Sequence, residues 1–275
     1  MRDSDFEFIR SLVYERSRIS LDPSKRELVD ARVAKRLRAR QMSDVSEYCT
    51  LLRDPGQEEE RVHLIDVIST NHTFFFREQK HFDFMRDTAI PEMLSRHRKE
   101  AWNCLRAWSA ACSSGEEPYT MAMVLSEGLA ASPWKWRVEA TDISGPMLAA
   151  ADAAIYNHES VLSAVPLWAR RYFQRGIGPQ EGRCRIRPAI RALVNFTRIN
   201  LLDHSTPFAE PFQVIFCRNV MIYFDRPTQT ELVRKLARLL VPGGYLFIGH
   251  SESLAPLDHP LQLVLPSIYR KPQTA

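Results

Sequence analysis

Leu105-Arg106-Ala107-Trp108-Ser109-Ala110-Ala111-Cys112-Ser113-Ser114-Gly115-Glu116-Glu117-Pro118-Tyr119 decides the fold, because an apolar run gives way there to a small, acidic turn. Leu105 to Ala111 suits a buried strand. Cys112 to Glu117 breaks the pattern, and Pro118 fits the first position of a helix, where its missing N–H loses nothing. Tyr119 to Ala131, with Met121, Ala122, Met123, Val124 and Leu125, reads as a helix rich in good formers. Ser132-Pro133 stops it, and Trp136 to Ala140 reads as a second strand ending at Thr141-Asp142. Strand, turn, helix and strand make half of a nucleotide-binding α/β unit, whose ligand lies at the carboxyl ends of the strands.

The glycine count of the turn narrows the nucleotide. A dinucleotide site wants G-x-G-x-x-G so that bare backbone can approach a pyrophosphate. This turn has one glycine, Gly115, and two glutamates where a phosphate would sit, and carboxylates repel phosphates. An adenosine with a cationic tail fits better, and S-adenosylmethionine, with its sulfonium and amino group, is such a ligand. Alternatively, Glu116 and Glu117 simply favour a helix start through its dipole. Asp142, at the end of the second strand, is placed to take both ribose hydroxyls; the alternative is that it starts a turn, with Ser144 or Gly145 capping a helix through Ala154.

The 275-residue chain has room for one large domain or two unequal ones, and its 45% hydrophobic and 25% charged residues are ordinary for a globular protein. No apolar run reaches the roughly 18 residues of a membrane span, and the charged N-terminus offers no secretory signal. Five cysteines without C-x-x-C spacing argue for reduced thiols and against a zinc site. No metal, no membrane insertion and a cytoplasmic location are therefore expected.

Residues 1–70 contain no strand-like run and read as helices, including Glu27 to Met42, Val45 to Leu52 and Glu58 to Ile68. On the wheel of the second, Val29, Val33 and Leu37 share one side, while Arg32, Lys35 and Arg38 lie opposite, flanked by Arg36 and Arg40. That face is either solvated surface or a docking surface for an acidic helix or nucleic acid. A long helix is expected from His81 to about His97. Between about 172 and 192, Gly176 to Gly182 signals a turn, and Arg183, Arg185 and Arg187 alternate with Cys184 and Ile186. This suggests a small antiparallel insertion whose edge could accept a partner strand. Phe212 to Cys217 reads as a central strand with Arg218 and Asn219 at its carboxyl end. Pro227 through Leu240 reads as a helix ended by Pro242-Gly243-Gly244, with a strand from Tyr245 to Gly249 and an antiparallel pair around Leu261 to Arg270.

Trp108 to Tyr119 closely resembles the core motif of the chemotaxis receptor methyltransferases, the CheR family. Asn71-His72-Thr73-Phe74-Phe75-Phe76-Arg77, Phe216-Cys217-Arg218-Asn219-Val220-Met221-Ile222-Tyr223-Phe224 and Pro242-Gly243-Gly244-Tyr245-Leu246-Phe247-Ile248-Gly249-His250-Ser251-Glu252 resemble that family too, in order. The resemblance implies an α/β fold of the S-adenosylmethionine-dependent methyltransferase type, doubly wound with a mostly parallel sheet. It also implies an N-terminal all-helical docking domain (1–70), a catalytic domain (71–275) and a small antiparallel β subdomain within it. The implied reaction is methylation of receptor glutamates, with S-adenosylhomocysteine as product. By the same resemblance Asn71, Thr73, Arg77, Glu117, Asp142, Asn200, Leu201, Arg218 and Asn219 line the cofactor site, and Arg32, Lys35 and Arg38 dock the acidic helical domain of a receptor. The stretch Arg175 to Gly182 resembles the version of the loop that binds a receptor's C-terminal peptide. Action as a monomer is expected.

A glutamate is ionised at neutral pH, so as nucleophile it needs no general base. The site must supply in-line positioning and removal of water, which fits a sequence without an obvious Ser-His-Asp or Cys-His arrangement. Arg77 and Tyr223 are the expected orienting residues, with Arg218 lending positive potential; Tyr223 could alternatively be a packed aromatic. A nucleic-acid methyltransferase is disfavoured because Arg218-Asn219-Val220-Met221 stands where an N-P-P-[YF]-like tetrapeptide would be needed. A non-enzymatic receptor adaptor is disfavoured by the intact Arg77, Glu117 and Asp142.

Overall fold

Apolar residues at helical spacing put four helices at the front of the chain: α1 (Asp3–Ser17), α2 (Arg26–Arg40), α3 (Val45–Arg53) and α4 (Glu58–Ile68). The computed structural model describes residues 1–97, 99–100, 102–203 and 206–273. These form two units, one of Met1–Asn71 with Ile222–Gln229, the other of His72–Met221 with Thr230–Ala275.

In the first unit, Val29, Val33 and Leu37 of α2 are buried with Ile9, Val13, Leu52 and Leu64. Asp44 caps α3, its carboxylate accepting the Ser46 N–H. A buried acid organises the packing: Glu60 of α4 takes both arms of Arg36 at 2.9 and 2.8 Å and the Tyr48 hydroxyl at 2.7 Å. Arg40 adds its charge at 3.7 Å. Burial opposes ionisation of Glu60, but these partners hold its carboxyl below the usual range.

The second unit begins with a helix expected to be continuous. Instead α5 (Gln79–Phe84) passes through a π-turn at Met85–Ala89 into α6 (Ile90–Arg96). The Ile90 N–H reaches back five residues to the Met85 carbonyl. Pro91 supplies the cause, since its ring clashes with the carbonyl four residues earlier and has no N–H to give.

The main sheet contains β1 (Cys104–Ala110), β2 (Lys135–Asp142), β6 (Val194–Arg198), β7 (Phe212–Cys217), β8 (Leu240–Phe247), β9 (Gln262–Leu265) and β10 (Ile268–Arg270). Its order is β6-β2-β1-β7-β8-β10-β9, parallel from β6 to β8, with β10 and β9 added antiparallel. Between β1 and β2 runs α7 (Glu116–Gly128), which packs on both and on β6; α8 (Gly145–Ala153) packs on β2 and β6. The order reverses between β1 and β7, so the ligand crevice of such a sheet opens over their carboxyl ends. The last helices are α9 (His158–Ala164), α10 (Pro188–Arg191) and α11 (Arg226–Leu239).

Several local expectations change. Pro118 is the third residue of α7, whose first turn begins at Glu116. Pro242-Gly243-Gly244 lies inside β8, which starts as soon as α11 ends, with a register shift against β7 between Phe212 and Val214. The small sheet has the order β3-β5-β4, formed by β3 (Ile155–Asn157), β4 (Phe173–Arg175) and β5 (Arg183–Ile186). It therefore starts before residue 172. The arginine-bearing strand β5 is central and paired on both sides, so the edges open to a partner are those of β3 and β4.

Candidate active site

Parallel neighbours β6, β2, β1 and β7 bring their carboxyl ends to one rim. In that order they present Asn200-Leu201, Asp142, the turn leading to Glu117, and Arg218-Asn219. The turn after β1 is tightly coiled: Ala111, Ser113 and Gly115 have φ of 65°, 49° and 96°. Gly115 is needed for packing as well as for its φ, because a Cβ there would meet the Ala151 Cβ at 2.8 Å and the Tyr156 hydroxyl at 2.9 Å.

Asp142 ties the rim together. Its Oδ2 accepts the Ser113 N–H at 2.7 Å and its Oδ1 accepts the Ser144 N–H at 2.9 Å. The second bond shapes the entry to α8, where Ser144 is the capping residue without a side-chain capping bond. The Asp142 carbonyl accepts the Ile199 N–H at 3.1 Å, holding Asn200 and Leu201 at the rim. Asp142 thus does start a turn.

Two further acids share one arginine. Arg218 is buried, giving Nη1 to Glu117 at 3.0 Å and Nε and Nη2 to Glu78 at 3.2 and 2.9 Å. Its guanidinium also donates to the Arg77 carbonyl and lies over Phe82 and Phe216. Burial opposes ionisation of Glu78, yet Arg218, with help from the His250 N–H and the Asn219 amide, holds its carboxyl down at about 2. For Glu117 burial prevails, and its carboxyl stays above the ordinary range despite Arg218 and the Ser109 hydroxyl at 2.7 Å. The Arg218 charge is thus already balanced, and it does not project the free positive potential the sequence suggests. Counting one cation against two anions, the group is one positive charge short. Glu116 faces Ser114 instead, and burial raises its carboxyl too.

Glu252 fixes the loop after β7. Its carboxylate accepts the N–H groups of Asn219, Met221 and Gly249 at 3.0, 2.8 and 2.6 Å. Asn219 stands at φ 58° and gives its side-chain amide to Glu78 at 3.3 Å. Arg77 turns back on its own loop, donating to the His72 carbonyl at 2.7 Å, with Thr73 half-buried in that loop.

Asn71 and Tyr223 belong to the first unit. There the Tyr223 carbonyl accepts the Ser20 N–H at 2.8 Å, and Lys25 sits 5.7 Å above its ring. Of the basic face in the same unit, Lys35 and Arg38 are exposed. Arg32 is not available in the same way: it donates to the carbonyls of Val67, Ile68 and Ser69 and to the Thr70 hydroxyl, closing the end of α4.

Ser109, Glu78 and Glu252 escape sequence reasoning. Ser109 reads as a strand residue and Glu78 as the residue after a motif. Glu252 ends a matching stretch, but nothing in its spacing says that it clamps a loop thirty residues earlier.

The donor set suits a cationic adenosine-bearing methyl donor. Asp142 provides an acid at the end of β2, and Glu117 provides a buried carboxylate short of positive charge. The turn after β1 carries no run of glycine N–H groups to take a pyrophosphate.

Comparison with known proteins agrees. Residues 71–267 match the family described as CheR methyltransferase, SAM binding domain, and residues 4–69 match CheR methyltransferase, all-alpha domain. The chain is 40% identical to a chemotaxis protein methyltransferase of Escherichia coli (strain K12) over 269 residues, 98% of this chain and 91% of the relative. It is 40% identical to chemotaxis protein methyltransferase 2 of Pseudomonas aeruginosa over 266 residues, covering 96% and 92% of the two chains. It is 36% identical to a chemotaxis protein methyltransferase of Borreliella burgdorferi over 262 residues, covering 94% and 91%.

Proposed function

The chain belongs to the CheR family of S-adenosylmethionine-dependent methyltransferases, and from that premise we propose that it converts specific receptor glutamates to methyl esters. The single observation that carries the chemistry is the charge deficit around Glu117, Glu78 and Arg218. When bound, S-adenosylmethionine supplies an electrophilic methyl group on a sulfonium. Glu117 would hold the donor's ammonium and Asp142 its ribose, and Asn200 and Leu201 would line the site at the end of β6. The substrate carboxylate arrives ionised, so this chain abstracts no proton from it. Arg77 and Tyr223 would orient acceptor and donor, and Arg218 with Asn219 would line the cofactor site. Positioning and exclusion of water then account for the rate, as expected where the nucleophile is already charged.

Lys35 and Arg38 serve as the basic contacts for an acidic receptor helix, while Arg32 closes the end of α4. The small sheet β3-β5-β4 docks the receptor's C-terminal peptide. The protein acts as a monomer, recruited to membrane receptor arrays from the cytoplasm.

Incubation with methyl-labelled donor and either receptor-bearing membranes from the same organism or its RNA tests the reading. Base-labile label on receptor glutamates, located by peptide mass mapping, is expected. Label on RNA, or none on either, would overturn it.

A further inference from the structure

Beside Glu78 lie two histidines that the methyl-transfer reading leaves unused. Glu78, His81 and His250 each bring one ligand atom to a common point, all within 4.8 Å of one another. His81 Nδ1 stands 3.4 Å from Glu78 Oε2. Two ligands each about 2.0–2.1 Å from a tetrahedral zinc ion lie roughly 3.3 Å apart, so this pair is already at ligand spacing.

The hydrogen bonds around His81 fix which nitrogen faces that point. His81 Nε2 lies 2.7 Å from the Ser267 Oγ. The Ser267 hydroxyl in turn donates to the Pro266 carbonyl at 2.6 Å. With that proton committed, the serine oxygen can only accept, and His81 donates to it from Nε2. Its Nδ1 is left as a bare lone pair in a residue only 1% exposed. Among the described residues no hydrogen-bond partner satisfies this nitrogen. The lone pair thus faces the carboxylate oxygen that Arg218 also holds, and the unpaired nitrogen is costly in a buried site.

The remaining features are those of a ligand set. A hydrogen bond at the outer imidazole nitrogen orients the inner one, as in metal-bound histidines generally. His250 is exposed, its ring edge-on to His81 at 4.7 Å between centroids, so an ion has a route from solvent. Its backbone N–H is anchored on Glu78 Oε1 at 3.2 Å, which keeps the imidazole near the point.

We infer that Glu78, His81 and His250 form a binding site for a divalent transition-metal ion of the zinc class. Two imidazoles and a carboxylate suit zinc, cobalt, nickel or copper rather than magnesium or calcium. Cysteine spacing speaks against a thiolate zinc site and does not bear on two histidines with a glutamate. The site is one for reversible occupancy, because Arg218 already holds Glu78 and an ion must compete with it. Glu78, Glu117 and Arg218 together carry one net negative charge, and Arg218 is the cation that the ion must displace from Glu78. Its cost falls on the rim: Glu78 also holds Asn219, and an ion drawing on Glu78 loosens Arg218 and Asn219 together. This last consequence rests on the reading of that rim as the donor site; the metal site itself does not.

Tag-free protein titrated with Co²⁺ alone should show visible tetrahedral bands saturating at one equivalent, displaced by Zn²⁺. The exposed His250→Ala variant should bind Zn²⁺ at least tenfold more weakly, with its circular dichroism and melting unchanged. His81→Gln should lose the bands, and His250→Ala keeps the test open if that buried change unfolds the protein. Absence of saturable one-equivalent binding, or equal Zn²⁺ affinity in wild type and His250→Ala, would overturn the site. Saturating Zn²⁺ should also weaken S-adenosylhomocysteine binding at least threefold in wild type and not in His250→Ala. Unchanged affinity in wild type would overturn the competition for Glu78.

Discussion

Asp142 is a turn residue and, under the proposed function, a cofactor residue, so the two readings of it are compatible. It accepts the N–H groups of Ser113 and Ser144, and under the proposed function it also holds the donor's ribose. Removing it should therefore do two separable things. Asp142→Ala is expected to lose about 1–3 kcal/mol of stability from unpaired buried N–H groups. It should also weaken S-adenosylhomocysteine binding at least tenfold, measured by calorimetry at a temperature where dichroism shows the variant folded. Unchanged affinity would leave Asp142 a turn residue only. Glu78 makes a second prediction, in metal-free buffer, with a definite sign. Its folded carboxyl sits at about 2, below the ordinary 4.5, so the unfolded chain binds the extra proton between those values. Stability from Glu78 is complete above pH 4.5 and is lost as pH falls through 2. The advantage of wild type over Glu78→Gln in urea denaturation should shrink by about 2 kcal/mol between pH 7 and pH 3. A constant gap would mean that Arg218 does not hold this carboxylate. The acids at strand ends were legible because fold rules place ligands there; Glu78 and Glu252 were not, because their partners are distant in sequence.

Among the elements, α2 carries solvent-facing basic residues and a structural one along a single helix. Sequence spacing sets Arg32, Lys35 and Arg38 side by side, yet Arg32 closes the end of α4 while its neighbours face solvent. Arg32→Ala should lower the melting temperature, since three helix-end carbonyls lose their donor, at about 1–3 kcal/mol. Lys35→Glu with Arg38→Glu should leave melting unchanged and raise the apparent KM for receptor, with S-adenosylhomocysteine affinity unaltered. Raising salt should imitate the double reversal, because exposed charges are screened over about 8 Å at physiological ionic strength. Wild-type turnover of the double variant at low substrate would make the face ordinary surface. Periodicity revealed the helix and its buried stripe, Val29, Val33 and Leu37, but not the π-turn at Met85–Ala89 or the strand through Pro242 to Gly244. In both, a proline or glycine that usually stops an element is absorbed by a local change in pairing. A stop signal alone does not show that absorption.

For the whole molecule, sequence motifs in order were enough for the α/β fold and the helical front. They could not show that Ile222–Gln229 joins the first unit, because a discontinuous unit has no compositional boundary. The small sheet was half legible: alternation in Arg183 to Ile186 marks β5, but three-residue β3 is too short for any period to show. That missing strand changes where a tether can bind. With β5 paired on both sides, the proposed receptor peptide would add to the edge of β3 or β4, with the exposed arginines of β5 in the middle of the sheet. The loop joining β4 and β5 sets the sheet's geometry. Gly176 gives its N–H to the Arg183 carbonyl at 2.8 Å, and a Cβ on it would fall 2.0 Å from the Gln180 carbonyl oxygen. Gly178 follows at φ 56°. Glycine is thus required at Gly176 and eases the left-handed backbone at Gly178, in the reversal that aligns the edge. Wild type should bind a peptide from a receptor C-terminus with micromolar affinity, which raises the local concentration of substrate helices to roughly millimolar without touching the chemistry. Deleting Gly176 to Gly178, or the milder Gly176→Val, should abolish peptide binding in calorimetry while sparing S-adenosylhomocysteine. Methylation of full-length receptors should then fall toward the rate for tail-less receptors, and tail-less receptors should not notice the change. If peptide binding survives both variants, the loop is a surface turn and substrate recruitment rests on the exposed face of α2 alone.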